Sequence, residues 1–140
     1  MAEAEPAFII GNGPSREGID LTRLIGQGCT FGCNAIYRDY PDYLIPDYLV
    51  AIDPIITEEI KQSTFPSERV IIPPFAEQFE AKEHSGGFVR SCAGINAMLE
   101  AIKQGFTTLY CFGFDFLLED QHMSTANLYD GSNGYGPETR

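Results

Sequence analysis

The chain has 140 residues, and nine lysine and arginine residues stand against twenty aspartate and glutamate residues, so the formal net charge at pH 7 is −11. Nucleic acids and anionic membrane surfaces are bound by basic faces that release counterions, so this composition argues against both classes of partner. The length predicts one domain that can bury a hydrophobic core without disulfides or metals.

No targeting or membrane segment is predicted. The N-terminal sequence MAEAEPAF lacks a basic start, and no later stretch approaches the ~18 apolar residues of a membrane span. The four cysteines, which have neither disulfide-framework nor metal-ligand spacing, are predicted to be buried free thiols: Cys29, Cys33, Cys92 and Cys111. We therefore expect a cytoplasmic protein without a metal site.

Five short apolar runs are predicted strands, and turn residues separate them from helical patterns. Each run is apolar on both faces, which is typical of parallel strands that are covered on both sides. In chain order the predicted strands are residues 7–10, 29–31, 48–52, 70–72 and 107–112.

Helical patterns lie between these runs. Residues 21–25 and 57–62 read as short helical segments, and Asp20 is a candidate N-cap for the first. The strongest pattern precedes the last strand and places four apolar residues on one buried face, namely Ile95, Met98, Leu99 and Ile102. Ala97 and Ala101 would permit close packing there, and Gly105 lies where a left-handed cap would end the helix.

This alternation predicts an α/β fold. We expect a three-layer α/β/α Rossmann-like domain with a mostly parallel sheet of about five strands. In such sheets ligands bind at the carboxyl ends of the strands. Four of the five segments that follow the predicted strands combine small residues with a hydrogen-bonding side chain, and all five would gather on one edge: 11–15 (GNGPS), 32–34 (GCN), 53–54 (DP), 73–74 (PP) and 113–115 (GFD).

The loop after the first strand is a candidate phosphate site. Gly11 and Gly13 allow positive φ and close approach of a ligand, Pro14 fixes the bend, and Ser15 can present a donor. Backbone N–H groups in such a loop can bind an anion even in an acidic chain. The loop is neither a Gly-x-Gly-x-x-Gly fingerprint nor a P-loop, because Arg16 follows it, and a plain tight turn is an equal alternative.

Several motifs together are more specific than this loop alone. These motifs are residues 9–15, 19–24, 33–34, 93–94, 105–106, 109–110 and 113–116. In the order and spacing of these motifs, the chain resembles the bacterial lipooligosaccharide sialyltransferases. The resemblance covers about residues 7–35 and 90–116. It implies a single Rossmann-like domain with a small lid, a CMP-linked nonulosonic acid as donor, and transfer without a metal.

The resemblance also implies roles for individual residues. By position, Asn12 and Asn34 would hold the phosphate and sugar of the donor, residues 113–115 would cradle cytidine and ribose, and Gly94 would lie under the nucleotide. The predicted nucleotide- and phosphate-binding residues are Gly11, Asn12, Gly13, Ser15, Asn34, Gly94, Gly113, Phe114 and Asp115. For Asn34 and Asp115, the alternative is a structural role in capping a turn or helix.

Residues 1–116 are predicted to form the nucleotide-binding core, and residues 117–140 an irregular, lid-like or mobile tail. The tail is rich in Gly, Asn and Tyr, and Tyr129 and Tyr135 are candidate lid residues that would stack on a base or sugar.

Departures from the family pattern leave the catalytic residues unassigned. Ala93 occupies the place of a serine in the family, and Asp53 occupies that of an asparagine. The general-base histidine of the family lies well beyond the equivalent of Asp115. His122 lies closer to Asp115 than that and is not assigned this role.

The expected function is a sialyltransferase-like glycosyltransferase core that binds a CMP-type nucleotide sugar and needs no cofactor. One alternative is a non-catalytic module that binds a nucleotide or nucleotide sugar. A further alternative is a hydroxymethylpterin pyrophosphokinase-like enzyme with Asp53 and Asp115 as metal ligands. The expected binding partner is a nucleotide or nucleotide sugar. The sequence leaves open whether the chain forms a homo-oligomer.

Overall fold

A five-stranded parallel sheet forms the centre of the computed structural model, which describes residues 5–73, 79–80, 89–90, 93–115, 118–119, 122–123, 127–133 and 135. Two antiparallel pairs accompany this sheet. In chain order the strands are β1 (Ala7–Ile10), β2 (Cys29–Cys33), β3 (Tyr48–Val50), β4 (Val70–Ile71), β5 (Phe79–Glu80), β6 (Val89–Arg90), β7 (Leu109–Phe112), β8 (Leu118–Glu119) and β9 (His122–Met123). The pairs are β5 with β6, and β8 with β9 in the segment that was predicted to be irregular.

The strand order of the main sheet is β4-β3-β2-β1-β7, and every neighbouring pair is parallel. The chain adds β2, β3 and β4 on one side of β1 and then returns to add β7 on the other. Ile10 pairs with Gly32 and with Phe112, so β1, β2 and β7 end near one another. The α/β prediction is confirmed, while the three-layer arrangement stays a prediction.

In the described part of the chain, two α-helices flank the sheet, α1 (Pro54–Gln62) and α2 (Ala93–Lys103). The predicted segment at residues 21–25 is the 3-10 helix Leu21–Leu24, and the Asp20 side chain caps it by accepting a hydrogen bond from the Thr22 N–H. Gly105 has φ +99° directly after α2, as predicted for a left-handed cap. Among the described residues, no helix has the length and apolar character required to cross a bilayer.

The predicted buried face of α2 is wrong at Leu99 and Ile102, although Met98 packs against the cluster of buried residues that contains Ala97. Leu99 and Ile102 are 40% and 57% exposed, whereas Ala93, Ala97 and Ala101 are buried. These alanines repeat every fourth residue on one side of the helix and allow its backbone to approach the sheet closely. The apolar periodicity therefore described a different side of α2 from the one that packs.

Apolar side chains pack on both faces of the sheet, because successive residues of a strand point to opposite sides. Ile9 belongs to a cluster that includes Ala97 of α2, and Ile10 belongs to a second cluster that includes Ile56 of α1. The second cluster also contains Ile36, which lies in the 3-10 helix Asn34–Asp39 directly after β2. Both clusters extend to the carboxyl ends of the strands and hold the loops there in place.

Three of the four cysteines lie in the described part of the chain, and all three are free thiols, as predicted. Cys33 is buried and Cys29 partly buried, and burial raises the pKa of the Cys29 thiol to about 12. Cys111 is exposed, contrary to the prediction, because β7 is the last strand on its side of the described sheet. Cys92 lies outside the described residues.

Candidate functional site

The loops that follow β1 and β7 are joined at the carboxyl edge of the sheet. The Gly11 N–H donates to the Phe112 carbonyl at 2.7 Å, and the Gly13 N–H donates to the Gly113 carbonyl at 2.9 Å. These bonds continue the pairing of β1 with β7 beyond the ends of both strands. Two of the N–H groups that were expected to face a phosphate are therefore already used by the chain itself.

Asp115 completes this junction. Its Oδ2 accepts a hydrogen bond of 2.8 Å from the Ser15 N–H, in the 3-10 helix Pro14–Arg16. Asp115 thus has a structural role, although as a link between two distant loops rather than as the local cap considered from the sequence. The second carboxylate oxygen has no partner among the described residues, and the Ser15 side chain is exposed. Both groups are accessible from outside the junction.

The glycines of the first loop provide space rather than unusual backbone angles. Gly13 has φ −72°, which any residue adopts, and Gly11 is not among the described glycines with positive φ. A Cβ on Gly13 would lie 2.4 Å from the Asp115 carboxylate, and one on Gly11 would lie 2.8 Å from the Gly113 carbonyl oxygen. The positive φ that glycine allows is used at neither position. What approaches this backbone is the β7 loop of the same chain.

Phe114 fills the space beside the start of α2. A Cβ on Gly94 would lie 2.8 Å from the Phe114 ring, which packs against the cluster that contains Ala97. Gly113 adopts φ +71°, a left-handed conformation that favours glycine. This turn directs the chain from the end of β7 toward the start of α2. The structure thus brings the predicted residues Gly11, Gly94 and Phe114 together, with the aromatic ring packed between the loop and the helix.

Asn12 is buried and makes three hydrogen bonds within the chain. Its Nδ2 donates to the Cys33 carbonyl at 2.9 Å, and its Oδ1 accepts from Arg16 Nη2 at 3.0 Å. Its backbone carbonyl accepts from the Leu128 N–H at 2.9 Å. Asn12 therefore ties the β1 loop to β2 and to the tail.

The prediction did not include Arg16, which is central to this edge. It is only 6% exposed, and its Nε donates to the Gly11 carbonyl at 2.7 Å. Its Nη2 donates to Asn12 Oδ1 and to the Tyr129 hydroxyl at 3.1 Å. An arginine in a polar turn is normally expected to be exposed. One of the bonds that Arg16 makes in its buried position is to Tyr129, a tail residue 113 positions away.

Residues 127–133 and 135 lie over the carboxyl ends of β1 and β2. The rings of Tyr129 and Tyr135 are 5.8 Å apart and pack against the cluster that contains Ile10. The Tyr129 hydroxyl accepts from Arg16 and donates to the Asp39 carboxylate. Burial first, and then the bond to Asp39, raises the pKa of Tyr129. The described part of the tail therefore covers the predicted site.

A charge pair between the helical segments holds this cover. Arg38 donates to Glu59 through two bonds, Nη2 to Oε1 at 2.7 Å and Nε to Oε2 at 2.9 Å. Arg38 Nη1 also donates to Ser132 Oγ at 2.8 Å, and Asn133 Nδ2 donates to Glu59 Oε1 at 2.9 Å. Burial alone would raise the pKa of Glu59, but hydrogen bonds from Arg38, Tyr37 and Asn133 outweigh it and lower the pKa to about 2.

Two buried polar atoms, one after β2 and one in the tail, have no hydrogen-bond partner among the described residues, namely Asn34 Oδ1 and the Tyr135 hydroxyl. Asn34 follows β2 directly and adopts φ +49°, which asparagine tolerates better than most residues. Burial raises the pKa of Tyr135 to about 12, although the Ala35 N–H and the Asn12 side chain nearby act in the opposite direction. Buried polar atoms are normally satisfied, so both atoms keep unused hydrogen-bonding capacity.

The carboxylates that a pyrophosphokinase would need for metal are in structural use. Asp53 caps α1 by accepting hydrogen bonds from the Ile55 and Ile56 N–H groups at 2.8 and 3.3 Å. In the described part of the chain, no group of three or more His, Cys, Asp or Glu side chains is arranged to hold a metal ion. His84 lies outside the described residues, as does the side chain of His122 in β9.

Comparison with known proteins adds no relative. No family model, curated protein or solved structure matches this chain. The motifs and the geometry of the sheet edge are therefore the basis for any functional proposal.

Proposed function

We propose that the chain binds a CMP-type nucleotide sugar at the carboxyl edge of its sheet, as the donor-binding core of a sialyltransferase-like glycosyltransferase. The observation that carries the proposal is the pair of unpartnered buried atoms, Asn34 Oδ1 and the Tyr135 hydroxyl. Leaving such atoms unsatisfied costs about 1–3 kcal/mol each. A ligand with hydroxyl and phosphate groups would satisfy both.

The strand order supports this location. In parallel sheets, ligands bind where the chain reverses its direction of strand addition, outside the carboxyl ends of the two strands concerned. Here that point lies between β1 and β7, because β2 adds on one side of β1 and β7 on the other. Asn12, Ser15 and Asp115 all lie in the loops that leave these two strands.

The remaining hydrogen-bonding capacity of the edge fits a nucleotide sugar. Asp115 uses one carboxylate oxygen for Ser15 and keeps the other, which can accept from ribose hydroxyls. Tyr129 and Tyr135 provide aromatic surface over the strand ends, against which a base or sugar can stack. A ligand would enter by displacing part of the tail.

One observation favours the non-catalytic alternative. Asp53 and Asp115 both accept hydrogen bonds from backbone N–H groups, and a carboxylate in such use is poorly placed to act as a general base. Binding of the nucleotide sugar and transfer of its sugar are therefore two separate proposals.

Thermal unfolding with CMP, in the absence of magnesium, tests binding. CMP at 100 times its Kd should raise the unfolding free energy by about 2.7 kcal/mol. The Tyr135→Phe variant should respond less, because it lacks the hydroxyl that would meet the ligand. Tyr43→Phe is the matched control, since its hydroxyl bonds Thr64 far from the carboxyl edge. If CMP, CDP, UMP and ATP all leave the melting temperature unchanged, the binding proposal is wrong.

Release of CMP from a CMP-linked nonulosonic acid then separates the enzyme from the binding module. Turnover would support the glycosyltransferase, and binding without any release of CMP would support the module. A requirement for Mg²⁺ in binding would favour the pyrophosphokinase alternative.

A further inference from the structure

Arg16 carries a buried positive charge whose hydrogen-bond partners are all neutral. It is 6% exposed, and its Nε and Nη2 donate to the Gly11 carbonyl, to Asn12 Oδ1 and to the Tyr129 hydroxyl. None of these acceptors is ionised in its ordinary state at neutral pH. The carboxylate of Asp39 reaches Arg16 only through the Tyr129 hydroxyl, which accepts from one and donates to the other.

A buried charge without a counter-charge is costly, so natural proteins normally pair it. Arg38 illustrates the usual solution, with two bonds to Glu59. For Arg16, the described residues include no ion pair, and its Nη1 has no hydrogen-bond partner. The guanidinium thus keeps one donor nitrogen and an unbalanced charge at the edge where β1 and β7 end.

We propose that Arg16 is the charge partner of an oxyanion that binds at this edge, and that its Nη1 donates to that anion. The inference rests on the proposed nucleotide site and assigns the phosphate of the ligand to Arg16 rather than to the loop amides. Three of those amides, Gly11, Gly13 and Ser15, already donate within the chain. A phosphate needs other donors, and guanidinium groups match oxyanions in both charge and geometry.

A purely structural Arg16 would behave differently from an anion-binding one, and Arg69 provides the comparison. Arg69 also donates only to carbonyl groups, those of Tyr43, Pro46 and Asp47. It precedes β4 and therefore lies at the opposite, amino-terminal edge of the sheet. Loss of either guanidinium removes bonds to the backbone, but only loss of Arg16 should change the affinity for an anion.

Isothermal titration at low salt tests the inference with CMP and with cytidine, which lacks the phosphate. In the wild-type protein CMP should bind more tightly than cytidine. Arg16→Gln should reduce this preference about ten- to hundredfold, the usual contribution of a hydrogen bond to a charged group, while Arg69→Gln should leave it unchanged. An unchanged preference in Arg16→Gln would overturn the inference and leave the nucleotide proposal standing.

Inorganic pyrophosphate provides an arm that is independent of the nucleotide. If the wild-type protein binds pyrophosphate but no nucleotide, and Arg16→Gln removes that binding, the anion site stands and the nucleotide proposal falls. If neither pyrophosphate nor any nucleotide binds, both fall.

Should Arg16→Gln fail to fold, the Nε–H resonance of Arg16 in the wild-type protein decides. It must shift when CMP or pyrophosphate is added, while that of the exposed Arg23 must not. Binding of either compound without a shift at Arg16 would overturn the inference.

Discussion

The carboxylate of Asp115 accepts a hydrogen bond of 2.8 Å from the backbone N–H of Ser15, although the two residues are 100 positions apart in the chain. This bond fastens the loop after β7 to the loop after β1. Together with the backbone bonds of Gly11 and Gly13, it closes the carboxyl edge of the sheet where strand addition reverses. The edge is held by the chain itself before any ligand arrives.

Removing the Asp115 carboxylate should therefore destabilise the protein. We expect Asp115→Ala to lower the free energy of unfolding in urea by about 1–3 kcal/mol, because a charge-assisted bond is lost. Asp115→Asn keeps an acceptor oxygen and should cost less. Asp42→Ala is the control, since Asp42 bonds only the nearby Leu44 N–H on the surface. Equal losses for Asp115→Ala and Asp42→Ala would contradict the role given to the junction.

The close approach at Gly13 leads to a second prediction. Gly13→Ala should lower the free energy of unfolding by about 3 kcal/mol, because its Cβ would lie 2.7 Å from the Gly113 carbonyl oxygen and closer still to Asp115. Gly26→Ala is the control: Gly26 has φ +82° but nothing within 4 Å of its added Cβ. There we expect only the backbone strain of about 1 kcal/mol. A smaller loss at Gly13 than at Gly26 would refute the steric explanation.

The charge pair of Arg38 and Glu59 should hold the tail. In Glu59→Gln the paired charge is lost, and we expect the unfolding free energy to fall by about 1–3 kcal/mol. Cleavage by chymotrypsin at Tyr129 or Tyr135 should become faster under native conditions, since the bonds of Glu59 to Asn133 and of Arg38 to Ser132 weaken. Glu58→Gln, on the exposed side of α1, should change neither measurement.

Glu59 should also give the stability a dependence on acid. Its pKa is about 2 in the folded protein, against an ordinary value of 4.5. A carboxyl group with a lowered pKa stabilises the folded state fully above its unfolded pKa, and this stabilisation is lost as the pH falls from about 4.5 toward 2. Urea denaturation between pH 6 and pH 2 should show a shallower decline for Glu59→Gln, and parallel curves would disprove the assignment.

The unpartnered hydroxyl of Tyr135 leads to a prediction about the free energy of unfolding. Because this buried group has no partner among the described residues, its removal in Tyr135→Phe should leave the unfolding free energy unchanged or raise it by up to about 1 kcal/mol. Tyr37→Phe provides the contrast, since the Tyr37 hydroxyl donates to Glu59 and its loss should destabilise the protein. A clear loss of stability in Tyr135→Phe would mean that the hydroxyl is satisfied in the free protein.

Much of the architecture could be predicted from local pattern. The five strands of the parallel sheet, the helical cap at Asp20 and the left-handed Gly105 follow from short-range preferences, and the structure confirms them. The buried side of α2 could not be predicted in this way. Leu99 and Ile102 carry the strongest apolar signal, but which side packs depends on how closely the backbone of α2 can approach the sheet.

The candidate site, too, could be predicted from the sequence only in part. Its loops could be placed at one edge because parallel strands present their carboxyl ends together. The roles inside the edge could not: Gly13 makes room for Asp115, Asn12 bonds to β2 and to the tail, and Arg16 bonds to Tyr129. Each of these contacts joins residues far apart in the chain, so no local pattern carries it.

The amino-acid sequence by itself thus determined the kind of sheet and the edge at which small and polar residues gather, because strand periodicity and turn chemistry act over a few neighbouring residues. Only the tertiary structure decided which groups at that edge are already bonded and which are left over. The deciding quantities are burial and hydrogen-bond partnership, and both arise when distant segments meet. Arg16 is buried there with a bond to Tyr129 of the tail, and Asn34 and Tyr135 each keep a buried atom without a partner among the described residues.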